Sequence, residues 1–353
     1  MFCKNLKYYR LKNNLSKKEL ASKINISPMA ITHYENGDRR PDIETIKKLA
    51  QVLNVKISDF LAVRNRNLHF VHERFRKNSS FTKRQQEFIK ESVEEYFGRF
   101  FEVVEFLGGE VLPESLPPHS IPLTKDLEQD ALALRNFLSL NRVGPVGNLI
   151  EILENSGILV YLLDFEQSAF SGMNGTVNGR PYIILNKNMT AERIRTTIVH
   201  ELAHLFYQWP EDTDDKECEK YATEIAGAFM ISKNDMIREL GIQRKSITKD
   251  MCLVCQEYGI ALSLLVVRAE QSGIITDSIA KKFFILNNKN GKEFCDSKIP
   301  EEKPILFEQL VYRAVNEEEI SIQKGAELLK TTYDQVALNC QKVDCCQCIE
   351  SFL

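Results

Sequence analysis

The 353-residue chain has no apolar run approaching the roughly 20 residues that a bilayer-spanning helix requires, so no membrane partner is expected. It opens Met1-Phe2-Cys3-Lys4-Asn5 and continues as polar, helix-like sequence instead of the apolar core of a signal peptide. The expected location is therefore cytoplasmic. Cysteine is odd in number, nine, and unevenly spread, which excludes a simple disulfide framework and makes reduced thiols the expectation. Neither sign of charge dominates, with 46 Lys/Arg against 49 Asp/Glu. Histidine is scarce, six in all, which makes any clustering of it informative.

What is present is a globular composition, 43% hydrophobic and 27% charged, at a length that suggests two or three domains. The near-neutral total hides an asymmetry. Residues 1–61 hold twelve Lys/Arg and six Asp/Glu, a balance of +6, which leaves −9 for the remainder of a chain whose net charge is −3. A basic end on an acidic body points to contact with a polyanion.

Residues 5–61 read as five short helices, with Leu6, Tyr9 and Arg10 on the first. Ser16 is the expected N-cap of the second helix, Lys17 to Lys23, with Glu19 as its capping-box partner. Asn25-Ile26-Ser27 is a tight turn, and Ser27 caps a third helix with Pro28 at its first position, running to Asn36 and stopping at Gly37. Asp42 opens a fourth helix, and Ser58 is the expected cap of a fifth. Two short helices joined by a three-residue turn make a helix-turn-helix.

Leu20-Ala21, Ile26-Ser27, Ile31, Tyr34-Glu35-Asn36-Gly37, Pro41 and Leu49-Ala50 fall where the Cro/C1-type (xenobiotic-response-element) repressors place their signature residues, so segment 5–61 resembles that family. The resemblance implies binding to double-stranded DNA as a homodimer, with the third helix in the major groove. The positions it assigns to that role are Ser27, Pro28, Met29, Ala30, Thr32 and His33. Lys17 stands where the family often has a phosphate-contacting Gln, and Arg39, Arg40 and Lys47 are further phosphate candidates.

Arg64 to Arg84 is basic and rich in Ser and Asn, with His69 and His72 read as surface or packing residues. Thr82 to Leu107 has helical periodicity and is expected to bury one face, as a dimer contact or as a rod between modules. Leu112 to His119, with three prolines, is a break. Helices are expected over Leu127 to Leu138 and Val146 to Asn155, strands over Ile158 to Leu163 and Arg180 to Asn186, a turn-rich stretch over Gly172 to Gly179, and a helix over Ala191 to Tyr207.

Within that last helix lies His200-Glu201-Leu202-Ala203-His204, an H-E-x-x-H. Residues four apart share a helix face, so both imidazoles can meet one ion, with Glu201 beside them to take a water proton. A third protein ligand is needed, and Glu217, Glu219 and Glu224 on the following helix all remain open.

Residues 144–275 resemble the ImmA/IrrE metallopeptidases through Phe170-Ser171-Gly172, Gly179 to Asn186, Arg195-Thr196-Thr197, the HExxH, and Glu219-x-x-Ala222-x-x-x-Ala226. The resemblance implies Zn²⁺ held by His200, His204 and Glu219, with Glu201 as general base, and strand Tyr182 to Leu185 as a place for an extended substrate to pair. Thr223, Ile225 and Ile231-Ser232 depart from the family pattern at packing and capping positions. Tyr207 and Tyr221 are candidates for a second oxyanion donor. Residues 304–331 resemble the family's longer members, with a helix-turn-helix character around Ser321. The tail spacing of Cys340, Cys345, Cys346 and Cys348 fits no standard metal framework, and Cys252-x-x-Cys255 reads as ordinary buried thiols of an apolar helix.

The expected fold is mainly α with a small β-sheet. It comprises a five-helix helix-turn-helix domain (1–63), a helical connector and linker (64–120), an α+β zincin-like metallopeptidase domain (121–277) and a helical C-terminal region with a Cys-rich tail (278–353). The expected function is a DNA-binding transcriptional regulator fused to a zinc-dependent endopeptidase. Its protein substrate would be a repressor, toxin or antitoxin-type partner, or its own connector. The alternative is a transcription factor whose metallopeptidase-like domain is a non-catalytic sensor or dimerisation platform.

Overall fold

The computed structural model describes residues 1–63, 65, 67–72, 82–166, 170–290, 295 and 299–341. It is helix-rich with a small mixed sheet, as the composition and periodicity imply, and divides into two compact units. The first is built from Met1–Leu68, Phe81–Leu112 and Ile305–Leu353, the second from His69–Ser80 and Pro113–Pro304.

The chain begins with α1 (Phe2–Lys12), α2 (Lys17–Lys23), α3 (Pro28–Asn36), α4 (Ile43–Leu53) and α5 (Ile57–Leu61). Their boundaries follow local chemistry. The Ser16 hydroxyl accepts from Glu19 N, and the Glu19 carboxylate accepts from Ser16 N at 2.6 Å, a complete capping box. Ser27 and Asp42 cap α3 and α4 by accepting from Ala30 N and Thr45 N, and Gly37 ends α3 in the left-handed region at φ +83°. Helix α5 departs from expectation. Its N-cap is Lys56, whose N–H is bound by Asp59 at 2.8 Å, and Ser58 lies inside the helix. Leu6, Leu20, Ile31, Leu49 and Phe60 are fully buried between these helices. Each such side chain contributes roughly 1.5–3 kcal/mol. A buried bidentate pair, Arg10 Nε to Glu35 Oε1 at 2.5 Å and Nη2 to Oε2 at 3.1 Å, fixes α1 against α3.

Next come β1 (Phe70–His72) and the long α6 (Lys83–Phe106), whose Thr82 and Gln85 form another capping box. Helix α6 is neither a rod nor buried on one face only. Ile89, Val93, Phe97, Phe100 and Val103, together with Glu91, Glu95, Arg99 and Glu102, are all buried. It is the central helix of the first unit, covered by α1 and by two helices from the far end of the chain, which local periodicity cannot reveal.

The second unit continues with β2 (Ile121–Pro122), α7 (Leu127–Phe137), α8 (Leu149–Asn155), β3 (Leu159–Leu163), β4 (Gly172–Val177), β5 (Arg180–Asn186), α9 (Ala191–Phe206), β6 (Tyr207–Gln208), α10 (Asp215–Met230), α11 (Lys233–Leu240), α12 (Met251–Tyr258), α13 (Leu262–Gln271) and α14 (Asp277–Asn290). The main sheet runs β1-β4-β5-β3. Strands β1 and β4 pair antiparallel, β4 and β5 antiparallel, and β3 and β5 parallel. The stretch expected to be turn-rich is thus mostly strand β4. Only Asn178 and Gly179 turn, both at positive φ, the pairing a tight hairpin requires. One core holds Ile183 and Leu185 of β5 against Ile198, Val199 and Leu202 of α9, Ala222, Ile225 and Phe229 of α10, and Leu265 and Val266 of α13.

Helix α8 starts three residues later than its apolar periodicity suggests, because the preceding loop is used otherwise. The carbonyl of Val146 accepts from Arg195 Nη2 at 2.7 Å and that of Gly147 from Nη1 at 2.9 Å. Arg195 also pairs with buried Glu302, whose other oxygen accepts from Leu149 N at 2.9 Å. One cysteine expectation is corrected. Cys252 and Cys295 form a disulfide, joining α12 to a residue 43 positions on. Their proximity is a tertiary fact that odd-number counting cannot supply. Cys255 is a free, buried thiol pushed up to about 12 by burial. Cys345, Cys346 and Cys348 lie outside the described residues. Among the described residues no single helix is long and apolar enough to cross a membrane.

The last helices, α15 (Leu306–Asn316), α16 (Ile322–Leu329) and α17 (Tyr333–Asn339), return to the first unit. Helices α16 and α17 repeat the register of α2 and α3. Caps Ser16 and Ser27 correspond to Ser321 and Thr332, buried Ala21 and Ile31 to Ala326 and Val336, and left-handed Asn25 to Lys330, each at the same interval along the chain. The charges differ. Glu317, Glu318, Glu319, Glu327 and Asp334 surround this second turn, and its lysines are engaged by α6: Lys324 with Glu102 at 2.9 Å and Lys330 with Glu95 at 2.8 Å.

Candidate metal centre

Helix α9 is capped by Thr190 and runs for 16 residues with one flank against the core. One turn apart on it, His200 and His204 bring their Nε2 atoms to 3.1 Å. Their imidazoles meet edge to face, with centroids 4.6 Å apart. Helix α10 packs against α9 and carries Glu219 to the same place. Glu219 Oε2 lies 3.2 Å from His200 Nε2, and Oε1 lies 3.9 Å from His204 Nε2. The ligating atoms of the three side chains all lie within 4.8 Å of one another, a His/His/Glu group able to hold a metal ion. Two ligands about 2.0–2.1 Å from a tetrahedral ion stand roughly 3.3 Å apart, close to the separations found, and two nitrogens with one carboxylate suit zinc. Glu217 and Glu224 do not join this group. They line a separate cavity of about 210 Å³ with Leu123, Trp209 and Tyr221.

The Thr223 hydroxyl donates to the Glu219 carbonyl at 2.8 Å, which spends its only proton. Its contact with His200 Nδ1 at 3.2 Å must then be accepted from an Nδ1–H. That arrangement suits the tautomer with its proton on Nδ1, which leaves the His200 Nε2 lone pair facing His204 and Glu219. The departure from the family pattern at Thr223 therefore retains an oxygen where one is used. Trp209, the only tryptophan, packs on His204 with centroids 5.5 Å apart and donates Nε1–H to the Ala203 carbonyl at 3.1 Å. Sequence reasoning misses it. Its place five residues past His204 was the available signal.

Glu201 is buried on the same helix, and its Oε2 accepts from Asn174 Nδ2 at 2.8 Å. Strand β4 can approach this closely because Gly172 has no side chain. A Cβ there would stand 2.9 Å from Thr197 Cγ2 and 3.2 Å from Glu201 Oε1. The expectation for β5 is corrected. It is flanked by β4 and β3, so both its edges are used and no peptide can pair with Tyr182 to Leu185. Beside Glu201 the strand with an edge is β4, which β1 covers only at Gly175, Thr176 and Val177 among the described residues. Tyr207 and Tyr221 are both turned to Asp130. Tyr207 O–H donates to its backbone carbonyl, and Tyr221 O–H to its carboxylate at 2.7 Å. Burial raises both phenols.

In the first unit, the outer face of α3 presents Pro28, Met29 and His33, with Met29 61% exposed, while Ile31 and Tyr34 face the core. Ser27 is occupied in capping Ala30 N at 3.1 Å. Ala30 and Thr32 are half-buried, and the Thr32 hydroxyl donates to the Pro28 carbonyl at 3.2 Å. Arg39 and Arg40 are exposed beyond the helix. Lys17 is more than one-third exposed, with Nζ 3.6 Å from Glu35.

These two sites match known families. Residues 6–60 match the helix-turn-helix family, and residues 153–270 match the IrrE N-terminal-like domain. The uncharacterized HTH-type transcriptional regulator YqaE of Bacillus subtilis is 38% identical over 61 residues, 17% of this chain and 52% of the relative. The uncharacterized HTH-type transcriptional regulator MJ0272 of Methanocaldococcus jannaschii is 39% identical over 54 residues, 15% of this chain and 82% of the relative. The chain thus spans about half the length of the first relative. It belongs to the HTH-type transcriptional regulators, and its helix-turn-helix domain is fused to an IrrE-like peptidase domain.

Proposed function

We propose that this protein is a DNA-bound regulator whose second unit is a zinc-dependent endopeptidase acting on a protein partner of the repressor, toxin or antitoxin kind, or on its own connector. The observation that carries the reading is the convergence of His200, His204 and Glu219 within 4.8 Å, with Glu201 on the same helix. His200 and His204 through Nε2, and Glu219 through its carboxylate, would hold Zn²⁺. Bound there, the ion supplies a Lewis acid and brings its water toward neutral pKa.

The chain's own residues do the rest. Glu201 takes the water proton on its carboxylate and returns it to the leaving amine. Asn174 holds Glu201 Oε2 at 2.8 Å and so sets the direction of that carboxylate. Thr223 keeps the proton of His200 on Nδ1. An extended substrate pairs along β4 at Gly172 to Asn174, where backbone groups lie beside Glu201. Helix α3 enters the major groove with Pro28, Met29 and His33 foremost, while Lys17, Arg39 and Arg40 meet phosphates. Two chains bind two half-sites as a homodimer.

The test is metal content per chain, by elemental analysis, for wild type and His204→Ala. About one equivalent of zinc, lost in the variant, is expected. No metal, or equal metal in both, overturns the metallopeptidase reading and leaves a transcription factor with a non-catalytic platform.

A further inference from the structure

On the far side of the second unit's core, between α12, α13, α14 and the loop before α12, lies an open cavity of about 670 Å³. That volume is in the range of small-molecule sites, roughly 300–1,000 Å³. Its floor is apolar: buried Leu262 and Phe283, with Leu286 at the mouth 42% exposed. Its rim carries three lysines, Lys245 and Lys249 on the loop and Lys282 on α14. All three are exposed, and no hydrogen bond or ion pair joins them to another of the described residues. Among the described residues no lining residue is a carboxylate. The nearby acid, Asp250, is already bound by Arg244 at 2.6 Å and by Thr248 at 2.5 Å.

This lining is unusual for its surroundings. The part of the chain beyond residue 61 carries a net −9, yet here three lysines line the rim of an apolar hollow. An apolar floor takes up a hydrocarbon or aromatic body, and ammonium groups at the rim attract an anionic head. We infer that this cavity binds a small amphipathic organic anion, an apolar body with a single carboxylate-type head. The cavity contains none of the HExxH residues, so the inference stands or falls separately from the catalytic reading. Its walls do reach the metal-bearing layer. Arg268 of α13 packs under Gly227 of α10, where a Cβ would stand 2.9 Å from Arg268 Cδ, and α10 carries Glu219. Helix α13, whose Leu262 lines the cavity, thus packs on the helix that carries Glu219.

The test is calorimetric titration of the full chain with decanoate, with decan-1-ol and with inorganic phosphate, for wild type and for Lys249→Ala/Lys282→Ala. Expected is one saturable decanoate site per chain, at least tenfold weaker binding of the uncharged alcohol, and no binding of phosphate. The lysine variant is expected to lose at least tenfold for decanoate, with its melting temperature unchanged because both side chains are exposed. Absence of decanoate binding up to about 1 mM, equal binding of acid and alcohol, or an unchanged lysine variant overturns the proposal. Adsorption of the chain to phosphatidylglycerol vesicles without saturable decanoate binding also overturns it, in favour of a membrane surface.

Discussion

Asn174 Nδ2 donates to Glu201 Oε2 across 2.8 Å, tying the candidate general base on α9 to strand β4. Asn174 is a positioning residue, whereas Glu201 would itself carry the proton. Glu201→Gln is expected to slow partner processing by about 10²–10⁴-fold. Asn174→Ala is expected to slow it less, about tenfold by comparison with that range. Both should retain full zinc. Loss of metal in Asn174→Ala would reassign that residue to holding the site together.

Thr223 Oγ1 lies 3.2 Å from His200 Nδ1, and by accepting from it would direct the Nε2 lone pair toward a bound metal. Thr223→Val keeps the shape and removes the acceptor. Competition with a chromophoric chelator should show zinc affinity lower by about 10–100-fold. Thr223→Ser should restore it, since it keeps the oxygen.

Arg39 and Arg40 are exposed beside α3, the end of the chain where residues 1–61 carry +6. If each meets a phosphate, Arg39→Ala and Arg40→Ala each lower the slope of log affinity against log salt by about 1 and weaken all sequences alike. Met29→Ala should instead change the preference among operator variants at constant slope. Equal slopes in all three proteins would remove the arginines from the interface.

Lys330 is packed under the Tyr8 ring, Nζ 4.6 Å from its centroid, and against Glu95. Burial pulls its ammonium down to about 8, against the attraction of Glu95. The folded value lies below the unfolded one of 10.5, so both states are protonated below about pH 8 and the folded state releases its proton first as pH rises. Stability should therefore increase from about pH 8 to 10.5 through this group and fall as pH drops through about 8. The melting temperature of wild type relative to Lys330→Met, followed across that window, checks it. A constant difference would mean that Lys330 does not titrate there.

Much of the fold is legible wherever the controlling chemistry is local. Ser16 with Glu19, Ser27 with Pro28, Asp42, and Thr82 with Gln85 mark helix starts because a cap acts within three residues of itself. The one-turn spacing of His200 and His204 is local too. What the sequence hides is set at long range. The carboxylate that reaches His200 comes from another helix, and the spacing alone leaves Glu217, Glu219 and Glu224 equivalent. Strand β4 is obscured by two glycines, yet Asn178-Gly179 between it and the strand Arg180–Asn186 was a usable hairpin signal. The burial of α6 on several faces depends on helices more than 200 residues later. So does its charge pattern, in which Glu95 and Glu102 look solvent-facing until Lys330 and Lys324 arrive.

The first unit is sewn from three separate stretches, and Pro113–Pro304, the bulk of the peptidase-like unit, lies between the second and the third. A break in the 113–120 link would leave α1–α6 on one piece and α15–α17 on the other. Those pieces remain clasped by Glu95 with Lys330, Glu102 with Lys324, and Phe307 against Tyr96 and Phe100. Self-cleavage there would give a nicked regulator that is two bands on a denaturing gel and still one particle in solution. If such self-cleavage occurs, scission and release from the operator would be separate events.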